Sequence, residues 1–364
     1  MPVRMFGLLS LAFCSTLLWA QSTQQPSLQQ AYASNFLIGA ALNSPQILEK
    51  NPVEAALIRK EFNAYTPENA MKSVNIHPAW DRYNFAMADS LVSLGLRQKK
   101  QVNGHTLIWH NQLSAFAQQI KDIDSFKTFF RDHITTIAQR YDGKIHSWDV
   151  VNEALEEDGS MRKSIFLEKL GPDYVTEAFR LAAKATPQSE LYYNDYNIEQ
   201  PAKRQGCIRL IKSIQDAGVK IDGVGIQGHW HLGRVPLKAI EESILAFHAL
   251  GLKVMITELD IEVLPRNFTG ADPSKRMTAD ASTNPYTQGL PPEQLSQQAA
   301  DYAALFKLLL KHRDKVTRVT FWGVHDGQSW LNNWPIRGRT NHPLLFDRSL
   351  APKPAYQAII DLRP

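Results

Sequence analysis

Along almost the whole chain, short apolar runs rich in β-branched and aromatic residues alternate with stretches whose apolar positions recur every three to four residues. Eight runs of the first kind are spaced fairly evenly: Phe36 to Leu42, Phe62 to Thr66, Lys100 to Trp109, Ser147 to Val151, Leu191 to Asn197, Val224 to His229, Lys253 to Thr257 and Val316 to Val324. The second kind includes Met87 to Leu96, Phe126 to Arg140, Val175 to Ala185, Ile208 to Ala217, Ile240 to Leu250 and Leu295 to His312. Near-continuous apolar runs suit strands buried on both faces, and strands alternating with helices predict βαβ units on a parallel sheet. Eight units favour one α/β domain, a closed (β/α)8 TIM barrel, over an open doubly wound sheet. No Gly-x-Gly-x-x-Gly turn follows the first run to argue for the open form.

Two stretches break the alternation. Met1 to Arg4 is a short basic start, and Met5 to Ala20 is apolar and uncharged. It is too short for a comfortable membrane span and is followed by polar Gln21 to Gln25, so residues 1–20 read as a secretory signal peptide, 21–30 as a polar linker and 31–364 as the folded domain. The protein is then secreted, with no membrane span once the leader is removed. Removal takes Cys14 with it and leaves Cys207 as a lone buried thiol. The other exception is Leu264 to Pro292, crowded with Pro, Gly, Ser, Thr and Asn and without a period. A loop that long in a compact domain is usually functional, and it contains a glycosylation sequon, Asn267-Phe268-Thr269.

Composition changes this picture little. The hydrophobic fraction is 44% and the charged fraction 21%, and a net charge of +4 is spread among interspersed Lys, Arg, Asp and Glu. Without a clustered basic face a nucleic-acid partner is not expected.

The candidate chemistry lies where the predicted strands end. The fourth run leads through Trp148-Asp149-Val150-Val151 into Asn152-Glu153, and the seventh, Lys253 to Ile261, delivers Glu258. One salt-bridged Glu at a strand end would be unremarkable structure. Two carboxylates on one face of a barrel are what glycoside hydrolysis needs, one to protonate the leaving oxygen and one to attack or to activate water. The other strand ends add Glu68, Asn69 and Lys72; His105, Trp109, His110 and Gln112; Asn194, Asp195, Tyr196 and Asn197; Gln227, His229, Trp230 and His231; Asp260; and Trp322, His325, Asp326, Ser329 and Trp330. Each alone has an ordinary structural explanation as a cap, a core ring or a hydrogen-bonded His. Together they offer amides and carboxylates for hydroxyl groups and indoles for sugar faces. The His229-x-His231 spacing suits a metal, yet a sugar cleft accounts for these histidines without one, so no metal or cofactor is expected. Arg clusters and Gly-rich turns for phosphate are not aligned here, and no Gly-x-Ser-x-Gly elbow is present.

Six blocks in order resemble the family-10 glycoside hydrolases, whose main activity is endo-1,4-β-xylanase. They are Phe62-Asn63 with Thr66 to Lys72, Gly104 to His110, Trp148 to Glu153, Gln227-Gly228-His229, Ile256 to Asp260, and Phe321-Trp322-Gly323 with Ser329-Trp330. The resemblance implies a retaining enzyme with Glu153 as acid/base and Glu258 as nucleophile. It implies that His229 and Asp260 hold the nucleophile ionised and oriented, and that Asn152 meets the sugar 2-hydroxyl. Glu68, Asn69, Lys72, His105, Trp109, Gln112, Gln227, Trp322 and Trp330 match the glycone-side wall, and Tyr196 faces the aglycone side. Xylan and xylo-oligosaccharides are the implied substrates, acted on by a monomer. A β-1,4-glucanase or exo-acting xylosidase on the same scaffold, or a non-catalytic xylan-binding protein, stays open at this stage.

Overall fold

Strands buried on both faces must find partners on both edges, and here the sheet supplies them by closing. The computed structural model describes residues 25–265 and 277–362. Its eight barrel strands are β1 (Leu37–Leu42), β2 (Ala64–Pro67), β3 (Gln101–Trp109), β4 (Ser147–Asn152), β5 (Glu190–Asp195), β6 (Gly223–Ile226), β7 (Lys253–Glu262) and β8 (Val316–Phe321). All pair in parallel, each with its successor, and β8 pairs back onto β1 from Leu37↔Arg318 to Ala40↔Phe321. The fold is the expected (β/α)8 barrel. The leader and the Asn267 sequon lie outside the described residues.

The helices between strands form where an apolar stripe meets a start signal. Tyr174–Ala185 buries Tyr174, Ala178, Ala182 and Ala185, a stripe facing the sheet. Ile123–Arg140 begins at Asp122, whose carboxylate accepts the Ser125 N–H at 2.7 Å. Pro52–Glu61 follows Asn51, whose side chain accepts from Val53 and Glu54. Among the described residues no helix is long and apolar enough to cross a membrane.

The sixth run departs from expectation. The strand ends at Ile226, and the chain turns at Gly228, where φ is +87°, a backbone that L side chains rarely adopt. It re-enters as a three-residue strand, His229–His231, paired with Asp260 to Glu262 rather than continuing β6. This jog carries His229 sideways over β7.

Both ends of the described chain converge on one buried residue. Glu61, 1% exposed, accepts the Leu28 backbone N–H at 2.9 Å and the Tyr356 hydroxyl at 3.0 Å. Leu28 opens a short helix, Leu28–Ala31, and is fully buried, so the last residues of the stretch read as a linker are packed. The described part of the Leu264 to Pro292 connection is turns and irregular chain, with Met277–Thr278 pairing to Ile336–Arg337.

Candidate active site

β4 and β7 end in the two glutamates, and the strands beside them supply the amides that join the pair. Asn194 on β5 gives one N–H to Asn152 Oδ1 at 2.9 Å and the other to Glu258 Oε1 at 2.8 Å. Its own carbonyl accepts the Thr257 hydroxyl at 2.6 Å, which fixes the amide's orientation. Gln227, just past β6, donates to Glu153 Oε1 at 3.0 Å and to Asn152 Oδ1 at 3.3 Å. Asn152 donates to Glu153 Oε1 at 3.2 Å, and the Trp109 indole to Glu153 Oε2 at 2.8 Å. One continuous amide network therefore touches both carboxylates.

The two acids differ in the charge of their partners. Among the described residues, Glu153 receives side-chain N–H groups from neutral partners, Trp109, Asn152 and Gln227. Glu258 Oε2 lies 3.2 Å from His229 Nε2, while His229 Nδ1 lies 2.9 Å from Asp260 Oδ1. Burial alone would lower the His229 pKa, but the Asp260 carboxylate and then Glu258 push it up to about 10. His229 is thus an imidazolium between two carboxylates at neutral pH. Asp260 is held in turn by the Trp330 indole N–H at 2.8 Å. The jog at Gly228 makes this possible, because a β6 continued straight would not bring His229 opposite Asp260. Glu153 itself sits at φ +59°, its N–H bonded to Asn194 O at 2.9 Å, so the chain turns sharply to present the carboxylate.

The remaining expected residues fall on either side of this pair. Lys72 donates to Asn69 Oδ1 at 3.0 Å and stands 5.0 Å from the Trp109 ring centre. Burial lowers its pKa against the opposing pull of Glu258, Glu68 and Glu153. Burial also raises Glu68, with Lys72 opposing. The His105 ring meets Trp322 edge-on at 5.2 Å, and Trp330 stacks on Trp334 at 4.7 Å. Tyr196 receives the Arg162 guanidinium on its hydroxyl at 2.7 Å and has the Lys203 ammonium 3.5 Å from its ring centre. Gln112 is exposed on the loop after β3, where its carbonyl accepts the Val74 N–H at 3.0 Å.

Other strand-end residues serve the scaffold. His325 pairs with Glu54 at 3.2 Å, Asp326 with Lys353 at 2.9 Å, and Ser329 caps the turn at Leu331. His231 lies 3.7 Å from Glu262. Among the described residues no group of three or more His, Cys, Asp or Glu could hold a metal ion. Sequence reasoning placed Asn194 among the polar strand ends without the bridging part it plays here, and gave no role to Thr257, Asp149 or Arg162. Asp149 carried a signal, as an acid in the middle of an apolar strand. Arg162, which donates to the carbonyls of Glu153 and Leu155 at 2.8 Å, carried none.

A closed barrel with this bridged carboxylate pair and its indoles at the strand ends defines a glycoside hydrolase. The model of glycosyl hydrolase family 10 matches residues 27–362, and the chain belongs to that family. It is 41% identical over 350 residues to an endo-1,4-beta-xylanase A of Xylanibacter ruminicola, covering 94% of this chain and 95% of the relative. It is 38% identical to a beta-1,4-xylanase of Dictyoglomus thermophilum, covering 94% and 92%. In structure it is similar to a GH10 endoxylanase from a sugarcane soil metagenome, with a TM-score of 0.87, 40% identity and coverage of 93% and 99%.

Proposed function

We propose that the chain is a secreted endo-1,4-β-xylanase that cleaves internal bonds of xylan with retention of anomeric configuration, acting as a monomer without a cofactor. The observation that carries this reading is the unequal support of the two acids. Glu258 has the His229 cation against one oxygen and the Asn194 amide on the other, which suits a nucleophile that must stay ionised. Among the described residues Glu153 has neutral N–H partners, which suits a group that passes a proton back and forth.

In the first step Glu258 attacks the anomeric carbon while Glu153 protonates the departing oxygen. In the second, Glu153 removes a proton from water, which displaces the glycosyl group from Glu258. Asn152, tied to Glu153 and Asn194, is suited to meet the sugar 2-hydroxyl. The wall of Glu68, Asn69, Lys72, His105, Trp109, Gln112, Gln227, Trp322 and Trp330 would hold the glycone side, and Tyr196 the aglycone side. Names of relatives that specify endo-1,4-β-xylanase support the substrate, and the basic start and apolar segment up to Ala20 support export.

The test is reducing-end release from purified xylan and from soluble cellulose side by side, with product sizing and proton NMR of the first anomer formed. Mixed-length xylo-oligosaccharides appearing as β-anomers are expected. Release of xylose alone would indicate an exo enzyme, cellulose cleavage a glucanase, and α-anomers an inverting mechanism.

A further inference from the structure

Beneath the cleft, inside the barrel, a buried charge lies where the barrel strands themselves need none. Arg318 points inward from β8, and β8 and β4 are on opposite sides of the barrel, with three strands between them either way round. Arg318 nevertheless reaches across, its Nη1 donating to Ser147 Oγ on β4 at 2.9 Å. The Ser147 hydroxyl donates to Asn103 Oδ1 on β3 at 2.7 Å, and the Asn103 amide donates to Asp149 Oδ2 at 3.0 Å. The same oxygen meets His105 Nδ1 at 2.9 Å. All five residues are 2% exposed or less.

The donors run in one direction, from a group that can only donate to one that, ionised, can only accept. A carboxylate at Asp149 requires the proton of a neutral His105 to sit on Nδ1, so Nε2 is left as a bare acceptor. We propose that Arg318 is a positioning residue for sugar binding: through Ser147 and Asn103 it keeps Asp149 ionised and so fixes the His105 tautomer that can accept a sugar hydroxyl. The proposal rests on the xylanase reading in taking His105 to meet the sugar.

The other charged groups near the chain are already engaged. At the floor, Tyr192 donates to Glu190 at 2.7 Å, and Glu190 also pairs with Lys253 and lies 3.8 Å from His146. On the cleft side stand Lys72, Glu153 and Glu258. Burial opposes the charge on Arg318, and Asp149 is the foremost group sustaining it, ahead of Tyr192 and Glu190. Removing the cation removes a like charge from the neighbourhood of His105 and, among the described residues, leaves Asp149 with Asn103 and His105 alone against Oδ2. Losing a nearby positive charge favours an added proton on the His105–Asp149 pair, which would turn Nε2 from an acceptor into a donor.

Arg318→Met, Arg318→Lys and Ser147→Ala, each checked for cooperative melting, test this through kcat/KM on a xylo-oligosaccharide between pH 5 and 8 and through the imidazole 15N shifts of His105. For Arg318→Met the acid limb of kcat/KM should move up by about one pH unit, about a tenfold loss at a fixed pH on that limb. Arg318→Lys should restore much of it, and Ser147→Ala should shift it the same way by less. A folded Arg318→Met with the wild-type pH profile, or with a loss equal at every pH and unrelieved by Lys, would overturn the proposal. If Arg318→Met does not fold, Ser147→Ala decides: unchanged His105 15N titration overturns it. Should the wild-type protein leave xylan intact, the xylanase reading fails, whereas the His105 titration still reports on the relay.

Discussion

At the scale of residues, the unequal surroundings of Glu153 and Glu258 make their roles separable. Glu153→Ala should lose far more on substrates with poor leaving groups than on aryl xylosides, by about 10²–10⁴-fold, the usual worth of general acid–base assistance. On aryl xylosides azide should restore turnover and give a β-xylosyl azide. Glu258→Ala should stop the first step for every substrate, and any azide product should be α-configured. Chromatography and NMR of the azides check this, and identical behaviour of the two variants would sink the assignment. His229 makes a second prediction. Its folded pKa of about 10 lies above the ordinary histidine value, so its ion pairs stabilise the fold fully below about pH 6.5, and that contribution drains away as pH rises through 10. Wild-type melting temperature should fall over that alkaline span. His229→Gln should melt lower at neutral pH and lack that part of the slope, and an identical slope would contradict the imidazolium assignment.

At the scale of elements, the positions of strands and helices were largely legible because burial on both faces leaves a near-continuous apolar run. The pattern failed where one residue overrides it. Val224 to His229 reads as a single strand, yet Gly228 turns the backbone, and only the pairing of His229 with Asp260 shows why. The site divided in the same way. Glu153, Glu258, His229 and Asp260 stood out as charges or histidines at strand ends, whereas Asn194 looked like any polar strand end. Its importance comes from reaching β4 and β7 at once, a relation between strands that no single run contains. The Arg318 relay spans three strands and was hidden for the same reason. Packing between β3 and β4 is close at Gly104, where an added Cβ would stand 2.1 Å from the fully buried Trp148 ring. Gly104→Ala should therefore destabilise by about 1–3 kcal/mol through overpacking, read from chemical denaturation, because the indole has nowhere to retreat. Wild-type stability in that variant would mean that the two strands can part.

At the scale of the whole molecule, closure of the barrel gives the two ends of the described chain a shared fastening. Glu61→Ala would leave the Leu28 N–H and the Tyr356 hydroxyl without their buried acceptor, at a cost of about 1–3 kcal/mol for each group left unsatisfied. Its effect should appear as earlier proteolysis at both ends together, detected by mass spectrometry, rather than at one. The clasp also means that the described chain, from Gln25 to Leu362, is almost a ring. Gln25 reaches Gln357 through a side-chain hydrogen bond at 2.6 Å, across a separation of 332 positions in sequence. A short linker from Leu362 back to Gln25 would cost little closure entropy, and the exposed turn at Gly218, which precedes β6 on the face away from the glutamates, offers a place to open the chain. A circular permutant starting at Val219 should fold to the same barrel and keep its turnover on xylan; a permutant that fails to fold would show that the order in which the eight units are synthesised helps to build the cleft.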